Sequence, residues 1–189
     1  MKRFLIVVVI TLWFLPISAQ EHLSFRGIPI DGPISEYVSK LTQTGFKLIQ
    51  KSQDNYVLSG NFTGYKCRVF VESSVISHTV HSVCVLLNQS DDWATIKNDY
   101  TTIKKGLTLK YGEPSNVKEE FRTPYRDGDG SAYMAFHVGN ADWYSVYTTP
   151  SGVIDLYIRE QGFLDLSVII KYTDKINEEK SIQELTNEL

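Results

Sequence analysis

Few residues in this chain stand at spacings that chemistry uses. His78 and His81 form His-x-x-His where a strand begins. Residues three apart on a strand point to opposite faces, a poor geometry for one metal ion, so the pair reads as turn or surface histidines. Asp127-Gly-Asp-Gly130 has the opening of a calcium loop. Counted from Asp127, Ala132 stands where such a loop needs glycine and Val138 where it needs the bidentate glutamate. A tight polar turn before Ala132 is expected instead. Glycine-rich phosphate loops, Gly-x-Ser-x-Gly and His-Glu-x-x-His do not occur in the sequence. Carboxylates are plentiful, but nothing in the sequence makes two of them converge for acid–base work. No catalytic residue, metal site or cofactor is assigned.

The first segment sets the compartment. Lys2 and Arg3 precede Phe4 to Ile17, a nearly unbroken apolar run, and Ser18-Ala19 then offers a small residue at a cleavage point. As a helix that run spans ~21 Å, short of the ~30 Å hydrocarbon core, so residues 1–19 are read as a signal peptide, an uncleaved anchor being the alternative. The expected location is periplasmic or secreted. No cysteine follows the apolar run until Cys67, which excludes a lipidated mature N-terminus, and no second run approaches a membrane span. Removing the leader leaves 17 basic and 22 acidic residues, net −5. The basic residues are scattered, so nucleic acid is not an expected partner.

Two cysteines in an exported chain point to a bridge. Tyr65–Glu72 and Thr79–Leu87 read as strands joined by Ser73 to His78. A hairpin centred between Val75 and Ile76 sets Cys67 directly opposite Cys84, where a disulfide fits; two reduced thiols on neighbouring strands is the alternative. Redox catalysis has no Cys-x-x-Cys pair to support it.

The elements that position these residues form two helix-then-strand units, expected over 20–89 and 90–172. Asp31-Gly32-Pro33 opens a helix whose Ile34, Tyr37, Val38 and Leu41 form one apolar stripe, closed at Gly45. Strands follow at Phe46–Lys51, Tyr56–Ser59 and the two cysteine strands. Ser90 is the expected N-cap of a second helix, in which Trp93, Ile96, Tyr100, Ile103 and Leu107 share a face and Tyr111-Gly-Glu-Pro114 is the stop. Strands resume at Val117–Arg122, Ala132–Val138, Asp142–Thr148, Val153–Arg159 and Phe163–Tyr172. Residues 173–189 form a polar tail, a marginal helix or frayed. The fold class is α+β, with the helices on one face of an antiparallel sheet.

At Phe25-Arg-Gly-Ile-Pro-Ile-Asp-Gly, Gly60-Asn-Phe-Thr-Gly-Tyr and Leu107-Thr-Leu-Lys-Tyr-Gly-Glu-Pro, the chain resembles a family of small exported proteins of unknown function from Gram-negative gut bacteria. The tandem order of elements is similar to the β-lactamase-inhibitor-protein-like fold, a resemblance that implies partner binding across a sheet. Neither resemblance carries site residues to this chain.

Register arithmetic on the last strands defines a candidate surface. A three-residue loop Glu160–Gly162 sets Ile158 opposite Leu164, Leu156 opposite Leu166 and Ile154 opposite Val168, an apolar face. A Pro150–Gly152 loop upstream then puts Tyr144 and Val146 on that core side. Trp143, Tyr147, Tyr157, Arg159 and Asp165 fall on the other face, as an aromatic, partly charged stripe of hot-spot residue types; a second core layer is the alternative. The expected function is a non-enzymatic binding module for a protein or glycan of the cell envelope. A hydrolase whose site no motif reveals and a structural envelope component are the alternatives.

Overall fold

In this computed structural model residues 21–162 and 164–189 are described; the expected signal peptide lies outside the described residues, as does Phe163. Local signals place most elements. β1 (Ser24–Phe25) and β2 (Ile28–Pro29) are joined by Arg26 and Gly27, whose φ values of 52 and 78° are the left-handed pair a two-residue hairpin turn requires. Helix α1 (Ile34–Gln43) buries Ile34, Tyr37, Val38 and Leu41, the stripe read from their spacing. It leads into β3 (Lys47–Lys51), β4 (Asn55–Phe62), β5 (Tyr65–Ser73) and β6 (Val80–Leu87).

Helix α2 (Trp93–Tyr111) buries Ile96, Tyr100, Ile103 and Leu107. Its N-cap is Asp92 rather than Ser90. The Asp92 carboxylate accepts from the amides of Ala94 and Thr95 at 3.3 and 3.0 Å, while Ser90 is held in a backbone bridge to Leu166. β7 (Asn116–Phe121) follows. The segment expected as a strand at Ala132–Val138 is instead a short helix, α3 (Ala132–His137). Short apolar runs do not declare their period, and here Phe136 packs against Trp93 and Phe121, which one helical turn allows. The turn before it is built by Asp129, which accepts from the amides of Arg126 and Ser131. Asp127, in the same segment, pairs with Lys97 and accepts from Trp93 Nε1.

β8 (Ala141–Thr149), β9 (Gly152–Glu160) and β10 (Leu166–Asp174) complete the sheet, and the tail is a helix, α4 (Lys175–Asn187). α4 is N-capped by Asp174 and anchored at the sheet end by Asn177, His81–Glu178 and Ser74–Glu184. None of the helices among the described residues is long and apolar enough to cross a membrane.

The fold is α+β. One antiparallel sheet runs β3-β4-β5-β6-β10-β9-β8-β7, so the strands after each long helix stay together and the two sets meet at β6 and β10. The face that carries Leu58, Val69, Val85, Ile170, Leu156 and Tyr147 lies under α1 and α2 and forms one continuous core with them. The opposite face is described below.

The cysteines correct the expected disulfide. Cys67 pairs with Leu87, and Cys84 with Phe70, so their registers are three residues apart. That separates them by roughly 10 Å along the strands and turns them to opposite faces, beyond what a disulfide spans. Both are free. Two features of the connection cause this. The loop is Ser74–Thr79, with Ser74 Oγ accepting from the amides of Ile76 and Ser77 and His78 at φ +55°, which moves the pairing by two. A bulge between Glu72 and Ser73 adds the third residue, which turns the cysteines to opposite faces. Burial pushes both thiols up to about 11, with Glu72 adding to the effect at Cys84. Denatured, unreduced protein is therefore expected to show two reactive thiols in a colorimetric titration. In the native state alkylation at pH 8 should be slow and should accelerate as pH rises towards 11, with half-buried Cys84 labelled before Cys67. A single disulfide mass shift, with no free thiol, would contradict this register.

Candidate functional site

The second face of the sheet is not covered by α1 or α2, and it carries an ordered pattern of side chains. Cross-strand pairing builds one row from Arg68 through Leu86, Ile169, Tyr157 and Tyr144 to Lys118. The row beside it runs Phe70, Cys84, Lys171, Asp155 and Val146. The first row is apolar and aromatic at its centre and cationic at both ends; the second alternates ring, thiol, cation and anion. Val57, Leu86 and Ile169 are buried on this face yet stand apart from the main core. The Arg68 guanidinium lies 5.9 Å from the Phe70 ring centre on this face.

A depression of about 800 Å³ opens over β8, β9 and β10, lined by Tyr144, Val146, Asp155, Tyr157, Arg159 and Lys171 among others. Arg159 rests over the Tyr157 ring at 5.6 Å, and Lys171 Nζ lies 3.8 Å from Glu72. Burial raises the Asp155 carboxyl above its ordinary range, with Lys171 opposing. Burial likewise raises the Tyr157 hydroxyl, so it stays a neutral donor and acceptor at ordinary pH. The raised Cys84 thiol stays protonated as well and is no activated nucleophile.

Of the residues singled out from sequence, Tyr157 and Arg159 stand on this face. Trp143 and Tyr147 do not, and this is a correction: they are 7 % and 1 % exposed, inside the helix-covered core. The connection from β8 to β9 is Pro150–Ser151, not Pro150–Gly152. Thr149 pairs with Gly152, and the Thr149 hydroxyl bonds both to the Gly152 amide (3.0 Å) and to its carbonyl (2.9 Å). One residue less in the loop slides β8 by one and exchanges its faces, so Tyr144 and Val146 come out. Asp165 is also off the face. The β9–β10 loop is five residues, Gln161–Asp165, and Asp165 sits at its end, its carbonyl accepting from the Gln161 amide at 2.8 Å.

Trp143 instead joins a cluster of rings. It meets Trp93 edge-on at 5.0 Å and Tyr100 at 6.0 Å, with Phe121 alongside. Ser145, the polar inward residue of β8, is satisfied by the Tyr100 hydroxyl at 2.7 Å. Tyr147 donates to the Lys104 carbonyl and meets Thr108 Oγ1, both at 3.1 Å.

Comparison with known proteins finds no matching family model, no matching curated protein and no matching solved structure.

Sequence reasoning placed Tyr144 inward and left Lys171 out of the stripe. β9 alternates without ambiguity, and pairing Lys171 with Asp155 is the signal that locates the second row once the loop length is known.

Proposed function

We propose that this protein is an exported, non-enzymatic binding module that holds a protein or glycan of the cell envelope against the open face of its sheet. The observation that carries the reading is the half-buried Tyr157–Tyr144 pair, seated beside the buried Leu86 and Ile169, bordered by Arg159, Lys171, Asp155 and Asp142, and left uncovered by α1 and α2. Rigid rings give contact area at little entropic cost, and charged groups around them supply directed hydrogen bonds, the composition of binding hot spots.

The test is binding to an array of envelope glycans and to purified envelope proteins. Tyr157→Ala and Tyr144→Ala are each expected to lower affinity at least about tenfold while the circular dichroism spectrum is unchanged, as loss of a central anchor does. Wild-type affinity in the double variant, with the fold intact, would overturn the proposal.

A further inference from the structure

On the helix side of the sheet, away from the face just described, lies a second cavity of about 410 Å³. Its floor is apolar and buried: Ile103 and Leu107 of α2 and Tyr172 of β10, with the half-buried rings of Phe62, Tyr65 and Tyr111 as walls. Its rim is exposed and polar, and includes Arg26 and Lys110.

Two further observations set the chemistry of an occupant. Neither Arg26 nor Lys110 has a carboxylate within ion-pair distance among the described residues. Arg26 lies over Phe46 at 5.6 Å and donates to the Asn61 carbonyl at 3.4 Å, and Lys110 lies over Tyr111 at 4.8 Å. The two cations stand on the rim of one apolar cavity, at whose wall Asp99 hydrogen-bonds Tyr65 and so is already engaged. The second observation is Gly106. It sits inside α2, where glycine costs about 1 kcal/mol relative to alanine, and a Cβ placed there would meet no atom within 4 Å. Packing does not demand the glycine. What it leaves is open room on the cavity rim.

We infer that this cavity binds a single-chain anionic amphiphile, an acyl carboxylate, with its tail on Ile103, Leu107 and Tyr172 and its head between Arg26 and Lys110. An apolar volume of this size with a few polar groups on its rim is the usual form of a small-molecule site. Carboxylate recognition by a guanidinium and an ammonium supplies the head with charge-assisted bonds.

The probe is sodium laurate, titrated calorimetrically into the protein well below its micelle-forming concentration. One-to-one saturable binding is expected, weakened by salt and much weaker for dodecyltrimethylammonium, which has a similar tail and the opposite charge. Arg26→Asn, which suits the left-handed turn, and Lys110→Gln should each lower laurate affinity about tenfold, the worth of one charge-assisted bond. Gly106→Leu should fill the rim, abolishing binding while keeping the helix. Absence of saturable binding overturns the proposal. So does wild-type affinity in the Arg26→Asn/Lys110→Gln variant, or equal affinity for the cationic probe. Should Gly106→Leu fail to fold, the two rim substitutions, both at exposed positions, decide the matter. Substitutions at Tyr144 and Tyr157 lie on the other face and leave this binding unchanged, so failure of either reading is read separately.

Discussion

Trp143→Ala is expected to lower the unfolding free energy by about 3–5 kcal/mol, the range for deleting a buried aromatic side chain, a large share of what holds a domain of this size folded. The indole is the centre of a ring cluster with Trp93, Tyr100 and Phe121. Those rings come from α2, β7 and β8, so the void would open where helix and sheet meet. Lys97 also covers the Trp143 ring, at 5.4 Å, and its Nζ pairs with Asp127 in the turn before α3. Removing the ring therefore loosens that turn too. The check is urea denaturation followed by circular dichroism, in which the midpoint falls at unchanged slope. Trp143→Phe retains a ring and should cost less. An Ala variant as stable as wild type would place Trp143 outside the core and restore the exposed stripe expected from sequence.

That contrast between expectation and structure has one physical source. Side chains on a strand alternate with period two, so an even error in register keeps every residue on its face and an odd error inverts the strand. In the β9–β10 hairpin the loop is two residues longer than expected, which shifts the pairing by four. Ile158 meets Val168 rather than Leu164, yet Ile154, Leu156 and Ile158 still point inward and Tyr157 and Arg159 still point out. In β8 and at the cysteines the shift is odd, and the outcome inverts. β9 was legible because one parity is all aliphatic and the other carries Asp155, Tyr157 and Arg159. β8 was not, because Trp143 and Tyr147 stand on one parity and Tyr144 and Val146 on the other. The polar residue on the parity of Trp143 and Tyr147, Ser145, finds its partner in Tyr100, 45 positions away. No local pattern contains that bond. The helices α1 and α2 were legible for the opposite reason: their stripes and stops are local. The cavity below Arg26 is assembled from the first hairpin, the β4–β5 turn, α2 and β10, so no stretch of sequence announces it.

The same reasoning gives Asp174→Ala the other large effect, about 3–5 kcal/mol, although the residue read from sequence as part of a polar tail. Its carboxylate is wholly buried and accepts from the Leu23 amide at 2.8 Å, the Asn177 amide at 2.9 Å and His22 Nδ1 at 3.1 Å. Alanine would leave these donors without their acceptor, two of them backbone amides that cannot turn away. It would also remove the N-cap of α4, whose next residues fasten the start of the fold: Asn177 Nδ2 donates to the Ile30 carbonyl and to Asp31 Oδ1, both at 3.0 Å. Opening this knot frees the first hairpin and the last helix together, because each is tied through the other. Hydrogen exchange should therefore show loss of protection in residues 23–31 and 175–187 before the central strands, alongside the lower urea midpoint. Asp174→Asn keeps one acceptor oxygen and belongs between wild type and alanine. If α4 alone lost protection in the alanine variant, the carboxylate would be a helix cap and no more.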